Sequence, residues 1–206
     1  MREEWCVNRI MPSWTDTFRV NYIENYILLV IKAYQSIGNG SHILIKKEEE
    51  RRTELVEAMR NKKGEFNITF PIGYEVGEKT KRMDICCYLD GLKENNYICF
   101  ECKRFLKTTI TKSHFNKEYY GEGISRFENN EYSSCMPEAG MISFLETGNM
   151  DKLKKLMEMK LPEKAMDKRY EDCSLRYSFC YVYRTMHRRK GNNHILSIYH
   201  ILLDFT

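Results

Sequence analysis

Residues 81–103, KRMDICCYLDGLKENNYICFECK, contain two apolar runs separated by a polar segment. The first run ends at Leu89, where Asp90-Gly91 and the polar residues up to Asn96 interrupt it. The second run begins at Tyr97 and is rich in isoleucine, cysteine and phenylalanine. Two short apolar runs on either side of an Asp-Gly turn predict a β-hairpin. We therefore expect these residues to form two paired strands.

Three charged side chains stand within these apolar strands. Glu101 and Lys103 are two residues apart, so they face the same side of the second strand, and Asp84 begins the first strand, where it can lie beside them. A buried charge has to be paired or has to bind a metal ion. The pattern therefore indicates either a site built from two acids and a lysine, or an exposed strand face with surface salt bridges.

The order of these residues resembles a known signature. An aspartate, a hairpin and then Glu-x-Lys, here Asp84 and Glu101-Cys102-Lys103, resemble the motif of the PD-(D/E)XK, or restriction-endonuclease-like, nuclease superfamily. In that superfamily the first acid usually follows a proline, whereas Met83 stands there in this chain. The resemblance covers residues 48–205. It implies an α/β fold with a restriction-endonuclease-like αβββαβ core, in which helices flank a mixed central β-sheet.

The same resemblance implies metal-dependent chemistry. Asp84 and Glu101, aided by the backbone carbonyl of Cys102, are expected to bind Mg²⁺, for which Mn²⁺ can substitute, because carboxylate and carbonyl oxygens suit these ions. The ion is expected to activate a bound water and to stabilise charge on the reacting phosphate. Lys103 is expected to position or deprotonate that water. The sequence leaves open its protonation state and the number of metal ions, one or two.

A predicted helix before the hairpin carries a further acid. Residues 46–62 have apolar positions at helical spacing, and Glu49 lies seven residues before the apolar Val56, which places it near the buried side. Many members of the superfamily carry a glutamate on this helix, so we predict that Glu49 joins the site, with Glu50 as the second choice. The alternative is a solvent-exposed acidic run that stabilises the helix N-terminus.

The other predicted elements follow from apolar periodicity and from turn residues. Gly121 and Gly123 fall in a predicted helix, where glycine suggests a close approach by another backbone or a ligand. The predicted segments are a helix at 15–35, a strand at 65–76, a helix at 119–127, an apolar segment at 140–145, a helix at 149–168 broken at Leu161-Pro162, and strands at 177–185 and 195–205.

Length and composition limit the classes of protein that fit this chain. Its 206 residues, of which 42% are hydrophobic, predict a single nuclease domain over residues 1–206, with residues 1–40 as an N-terminal helical extension. The net charge of +4 arises from 33 basic and 29 acidic side chains, and it permits nucleic acid as a partner without requiring it. No GxxxxGK[ST] motif occurs, so any ATP-driven unwinding has to come from a partner.

The cysteines and the hydropathy indicate a compartment. The eight cysteines are scattered or lie in strand-like runs, and Cys99 and Cys102 face opposite sides of a strand, which disfavours a zinc site or a redox pair. We therefore predict free thiols and a cytoplasmic location. The apolar run at 26–33 is too short to span a membrane, so we predict no membrane association.

Five basic residues are candidates for contacts with nucleic acid. Arg104 and Lys107 belong to a basic, hydroxyl-rich segment after the second strand, and its alternative role is a solvated loop. Arg126 is expected to hold a phosphate or to orient a carboxylate, and a structural ion pair is equally open. His187 and Arg189 are expected to touch the nucleic acid backbone. His200 is expected to be a structural histidine.

These observations lead to one principal function and two alternatives. The principal prediction is a Mg²⁺-dependent endonuclease that hydrolyses phosphodiester bonds of DNA, in restriction or anti-phage defence. The alternatives are a non-catalytic nucleic-acid-binding or assembly subunit of a defence complex, and an RNase or structure-specific nuclease on the same fold. Predicted partners are DNA, a second copy of the chain in a homodimer, and an ATPase, helicase, methyltransferase or other defence-system subunit.

Overall fold

The computed structural model describes residues 14–38, 45–76, 82–89, 97–132, 136–177, 180–191 and 194–206. A π-helix, Phe115–Ile124, joins two short α-helices into one helical segment. The elements are α1 (Trp14–Gly38), α2 (Glu48–Lys62), β1 (Ile72–Val76), β2 (Met83–Tyr88), β3 (Tyr97–Phe105), α3 (Lys112–His114), α4 (Ser125–Glu128), β4 (Glu138–Leu145), α5 (Met150–Lys164), β5 (Tyr170–Asp172), β6 (Tyr181–Arg188) and β7 (Ile195–Asp204).

The strands of the described residues form one mixed sheet of seven strands in the order β1-β2-β3-β4-β7-β6-β5. Strand β4 at its centre is parallel to both β3 and β7. The other neighbouring pairs are antiparallel. Parallel neighbours need a crossover connection, and the helical segment from α3 to α4 supplies it between β3 and β4. The chain is therefore an α/β protein with a mixed sheet flanked by helices.

Each face of the sheet is covered by helices, so the core has two layers. Helices α1 and α2 cover one face, with Ile27 and Leu55 among the fully buried side chains. The π-helix and α5 cover the other face, with Phe115 and Leu153 among the buried residues. Burying a side chain of this size contributes about 1.5–3 kcal/mol, so these two layers supply most of the stabilisation.

The hairpin and the first two helices agree with the sequence. Strands β2 and β3 pair antiparallel, and the turn predicted at 90–96 lies outside the described residues. Helix α1 extends a few residues beyond the predicted 15–35 range. Helix α2 ends at Lys62, as predicted.

Three features of the structure differ from the predicted elements. The strand predicted at 65–76 begins only at Ile72, because a 3-10 turn precedes it and Asn67 adopts a left-handed conformation with φ of 55°. The break predicted at Leu161-Pro162 is absent, since α5 runs through Pro162 to Lys164. A proline so close to a helix end removes only one hydrogen bond near the terminus. The short strand β5 occupies a segment where no strand was predicted.

Among the helices that the structure describes, none combines the length and apolar character needed to cross a bilayer.

Candidate active site

The hairpin brings the three predicted charged residues together. Ile85 pairs with Phe100, so Asp84 and Glu101, the next residues along the two antiparallel strands, lie side by side. The Lys103 Nζ atom lies 2.9 Å from Glu101 Oε1. Only 1% of Glu101 is exposed, which rules out the alternative of a solvent-exposed strand face. Two acids and a lysine therefore form a cluster at the junction of β2 and β3.

Both oxygens of the Asp84 carboxylate have partners within the chain. Arg52 of α2 donates from Nη1 to Asp84 Oδ1 at 2.6 Å. The backbone amide of Cys102 donates to Asp84 Oδ2 at 2.7 Å. Hydrogen bonds from charged or backbone donors to a carboxylate are short and strong, so Asp84 is held in a fixed orientation between α2 and β3. The predicted role of the Cys102 carbonyl stays a prediction.

The two oxygens of Glu101 differ in their surroundings. Oε1 accepts hydrogen bonds from Lys103 and, at 3.2 Å, from Nη1 of Arg126. Oε2 is buried and has no hydrogen-bond partner among the described residues. Burial and the neighbouring Asp84 raise the pKa of Glu101 from 4.5 to about 7, against the opposing effect of Lys103. A buried carboxylate oxygen without a donor is a costly arrangement that a bound cation would relieve.

Lys103 carries a positive charge in this arrangement. Burial alone would lower the pKa of its ammonium group, but the carboxylates of Glu101 and Glu48 outweigh burial and raise that pKa above its ordinary value. An ammonium with a raised pKa stays protonated at neutral pH. Lys103 is therefore a cation beside the carboxylates, and its predicted role in positioning or deprotonating a water stays a prediction.

The acid of α2 that contacts β3 is Glu48, and the participation of Glu49 in the site stays a prediction. Glu48 accepts a hydrogen bond at 2.8 Å from the backbone amide of Arg104, and burial raises its pKa against the opposing charge of Lys103. The side chains of Glu49 and Glu50 are exposed, and Glu49 lines a surface pocket beside the cluster. Glu48 lies seven residues before the buried Leu55, and this spacing was an available signal.

Arg126 connects the acid cluster to the helical segment. Its Nη1 atom contacts Glu101 Oε1 and also donates to the Tyr132 hydroxyl at 2.7 Å, and that hydroxyl donates to the carbonyl of Arg82. Arg126 therefore orients a carboxylate, one of the roles that the sequence left open. Gly123 permits the close approach of this segment, because a Cβ atom there would lie 2.7 Å from the Met141 side chain. The close neighbour is thus a side chain, and neither another backbone nor a ligand is needed to explain this glycine.

A surface pocket of about 490 Å³ adjoins the cluster on the α2 side. Its lining includes Glu48, Arg52, Arg104 and His114. Arg104 also donates from Nη1 to the carbonyl of Lys46 at 3.1 Å, so this side chain connects β3 to the start of α2. Lys107 is exposed in the loop beyond β3. The predicted contacts of Arg104 and Lys107 with nucleic acid stay predictions.

The structure does not place His187 or Arg189 where nucleic acid could reach them, so both predictions are wrong. Each is 1% exposed. Arg189 donates to the backbone carbonyls of Phe127 in α4 and Met136 just before β4 at 2.7 and 2.8 Å, and thus connects these two elements. Burial lowers the pKa of its guanidinium to about 10. Both residues have structural roles in the interior.

His187 belongs to a buried chain of polar side chains. The atom pairs are Tyr119 OH with His200 Nδ1 at 3.0 Å, His200 Nε2 with Thr185 Oγ1 at 2.7 Å, Thr185 Oγ1 with His187 Nε2 at 2.8 Å, His187 Nδ1 with Glu128 Oε1 at 2.9 Å, and Tyr120 OH with Glu128 Oε2 at 3.0 Å. With both imidazoles neutral, a single arrangement satisfies every group, in which each proton points toward Glu128. Burial lowers the pKa of His200, which favours its neutral form. The structural role predicted for His200 agrees with this chain.

The residues of the cluster offer hard oxygen donors. Asp84, Glu101 and Glu48 supply carboxylates, the type of ligand that Mg²⁺ prefers, and Glu101 Oε2 is the buried atom that lacks a donor. Among the residues that the structure describes, no group of three His, Cys, Asp or Glu side chains is close enough to hold a metal ion. The side chains of Arg52, Lys103 and Arg126 contact these carboxylates instead.

Sequence reasoning did not identify Arg52 or Tyr132 as part of this cluster. Arg52 lies four residues after Glu48 and four before Val56, so it occupies a buried helical position despite its charge. Tyr132 lies in the loop after α4, where no periodic pattern operates. No family model, no curated protein and no solved structure matches this chain.

Proposed function

We propose that this chain is a metal-dependent nuclease that hydrolyses phosphodiester bonds of DNA. One observation carries the proposal: Asp84, Glu101 and Lys103 form a buried cluster in which Glu101 Oε2 lacks a hydrogen-bond donor. Most buried polar atoms of native proteins are hydrogen-bonded, so a buried carboxylate oxygen without a donor calls for an explanation. A divalent cation that binds phosphate oxygens would satisfy this oxygen.

The order of elements supports the same proposal. Helix α2 precedes three antiparallel strands, and the helical segment from α3 to α4 then leads into β4, which is parallel to β3. This is the order αβββαβ that the resemblance implies. The acids and the lysine lie on β2 and β3, and Glu48 on the preceding helix. The restriction-endonuclease-like core and the single nuclease domain are part of the proposal.

Each residue of the cluster has a distinct task in the proposed reaction. Asp84, Glu101 and the Cys102 carbonyl would hold Mg²⁺ or Mn²⁺, with the negative charge of Glu48 nearby, and the bound ion would activate a water and stabilise charge on the phosphate. Lys103, kept protonated by its acidic neighbours, binds a phosphate oxygen and stabilises the charge that develops in the transition state. Arg126 keeps Glu101 in place.

The second candidate is a nucleic-acid-binding or assembly subunit without catalysis. Its support is that the three carboxylates already have cationic or backbone donors from the chain itself. A cluster in which each carboxylate already accepts a hydrogen bond from the chain can serve structure alone. The two candidates differ in metal binding, because only the nuclease requires it.

The decisive experiment compares cleavage by the wild type and by Lys103→Ala. Plasmid DNA, single-stranded DNA and RNA are each incubated with Mg²⁺, Mn²⁺ or EDTA. We expect the wild type to cut DNA in Mg²⁺ or Mn²⁺ and not in EDTA. We expect Lys103→Ala to be about 10²- to 10³-fold slower, because a preorganised charge at the phosphate is lost.

The matched control is Lys155→Ala, which removes an exposed lysine from α5. It should cut at the wild-type rate. Equal rates for Lys103→Ala and the wild type would overturn the role of the lysine, and cutting of RNA alone would change the substrate class. A folded wild type that neither cuts nor binds Mn²⁺ would favour the binding subunit.

A paired comparison tests the acid on α2. Glu48→Gln should weaken Mn²⁺ binding about tenfold or more, because it removes a carboxylate from the cluster. Glu49→Gln makes the same change one residue further on, at an exposed position, and should bind Mn²⁺ as the wild type does. Isothermal titration calorimetry measures both affinities. Equal affinities for the two variants would remove Glu48 from the proposed site.

The remaining predictions about biological context form part of the proposal. A homodimer would allow both strands of a duplex to be cut, and an ATPase or another defence-system subunit would supply any unwinding. The six described cysteines are free, which supports a reducing compartment such as the cytoplasm.

A further inference from the structure

Arg52 is the cation that stands closest to a predicted metal ligand. It is 6% exposed, and its Nη1 atom lies 2.6 Å from Asp84 Oδ1. The backbone amide of Cys102 donates a hydrogen bond to the other carboxylate oxygen, Asp84 Oδ2. A divalent cation that binds Asp84 therefore has to displace a donor, and the side chain of Arg52 is easier to move than the backbone of a central strand.

The arrangement around Glu101 is different. Lys103 and Arg126 both contact Oε1 and leave Oε2 without a donor. A metal ion can therefore reach Glu101 without displacing either cation. Arg52 is the side chain whose position conflicts with metal binding by this cluster.

The net charge of the cluster also favours the release of Arg52 when a metal ion binds. Three carboxylates, those of Asp84, Glu101 and Glu48, face three cations, those of Arg52, Lys103 and Arg126. The net charge of the cluster is zero when all six groups are ionised. A divalent cation would add two positive charges to a largely buried site, which is unfavourable unless a cation leaves or an anion arrives.

The pocket beside the cluster offers a second position for the Arg52 side chain. Arg52 borders it together with Arg104 and His114, and the pocket is open to solvent at about 490 Å³. A guanidinium released from Asp84 would remain within this pocket, because Arg52 is anchored to α2 next to Glu48. A phosphate group is the natural anion for a guanidinium there, since the two form bidentate hydrogen bonds.

We propose that Arg52 is a phosphate-binding residue that occupies Asp84 in the metal-free protein and is released to the nucleic acid when a divalent cation binds. Arg52 and the metal ion then compete for one carboxylate, and the arriving phosphate compensates the added charge. This inference rests on the proposed function, because it assumes a metal ion at Asp84 and a phosphodiester substrate.

Isothermal titration with Mn²⁺ alone tests the competition. Arg52→Met removes the competing charge, so we expect it to bind Mn²⁺ about tenfold or more tightly than the wild type. Arg52→Lys keeps a charge but loses the planar fork, and its affinity should lie between the two. The same variants should bind a DNA duplex in Ca²⁺ more weakly than the wild type, with Arg52→Met the weaker of the two. These opposite effects on metal and DNA distinguish competition from a structural role, which would weaken both.

Arg60→Met is the matched control. It makes the same replacement two turns further along α2, where the arginine is exposed and donates to the carbonyl of Ile72. It should bind Mn²⁺ and DNA as the wild type does. Circular dichroism establishes that each variant is folded before titration.

The outcomes separate the inference from the proposed function. If the wild type cuts DNA with metal but Arg52→Met binds Mn²⁺ no more tightly, the inference is wrong and the nuclease stands. If Arg52→Met alone binds Mn²⁺, the competition is supported. If neither protein binds Mn²⁺ and the wild type does not cut, both fail.

Discussion

Replacing Glu101 by glutamine is expected to make the protein more stable at about pH 8 and to abolish cleavage. The pKa of Glu101 is raised from 4.5 to about 7 by burial and by Asp84, although Lys103 and Arg126 oppose the shift. At a pH between these two pKa values, Glu101 is therefore protonated in the folded state and ionised in the unfolded state. Stability therefore falls as the pH rises from about 4.5 through about 7, and above that range the ionised carboxylate costs at most about 3 kcal/mol.

Glutamine has nearly the shape of the protonated acid and cannot ionise. Thermal denaturation in EDTA should give Glu101→Gln a melting temperature several degrees above the wild type at about pH 8, and the difference should nearly vanish at about pH 4. Cleavage should fall about a thousandfold or more, because an amide replaces a proposed metal ligand. A lower melting temperature than the wild type at about pH 8 would show that the Lys103 ion pair outweighs burial.

Replacing Glu146 by alanine is expected to cause the largest loss of stability. Arg51 is fully buried and donates from Nε and Nη2 to the two Glu146 oxygens at 2.6 and 2.8 Å, with its guanidinium 3.8 Å from the centre of the Phe205 ring. Removing the carboxylate takes away the buried partner of this charge, whereas the partly exposed Glu54 remains beside it. We expect a loss of about 3 kcal/mol or more, and a melting temperature lower by about 6–12 °C.

Two controls isolate the cause of this loss. Glu54→Ala removes only the partly exposed partner of Arg51 and should cost less than about 1 kcal/mol. The double variant Arg51→Met/Glu146→Leu removes both buried charges and should recover most of the stability. A double variant as unstable as Glu146→Ala would show that packing, and not the unpaired charge, is responsible. Glu146 also accepts from the backbone amide of Lys46 at 3.0 Å, so its loss should loosen the start of α2.

Local patterns were sufficient for the central part of the fold. The hairpin follows from apolar runs and an Asp-Gly turn, and the period of two correctly places Glu101 and Lys103 on one strand face. These features depend on residues close in sequence, so the sequence alone determines them. The parallel pairing of β3 with β4 depends on contacts between residues about forty positions apart, and no local pattern predicts it.

The errors on α2 have one physical cause. Its buried positions include Arg51 and Arg52, whose charges interrupt the apolar pattern that defines a helix face. With only Leu55, Val56 and Met59 to define that face, the spacing from Val56 favoured Glu49, with Glu50 as the second choice, and Glu48 was missed. The burial of these two arginines is explained by their ion pairs with Glu146 and Asp84, which lie far away in sequence.

The errors near the C-terminus have another cause. A basic residue next to an apolar strand suggests a surface, but His187 points inward along β6, and Arg189 finds backbone carbonyls in the loop between α4 and β4. Irregular loops expose carbonyls that no strand or helix satisfies, and a buried guanidinium can satisfy several of them. Sequence periodicity contains no information about such loops.

The buried polar chain from Tyr119 to Glu128 has a consequence for how this sequence can change over time. Thr185 is its central link, because one hydroxyl accepts from His200 and donates to His187. A valine at position 185 would leave two imidazole nitrogens without partners, so it would be tolerated only if both histidines changed as well. The six residues of this buried polar network should therefore vary together among related sequences. Sequences that lose one of them should carry apolar residues at the other positions.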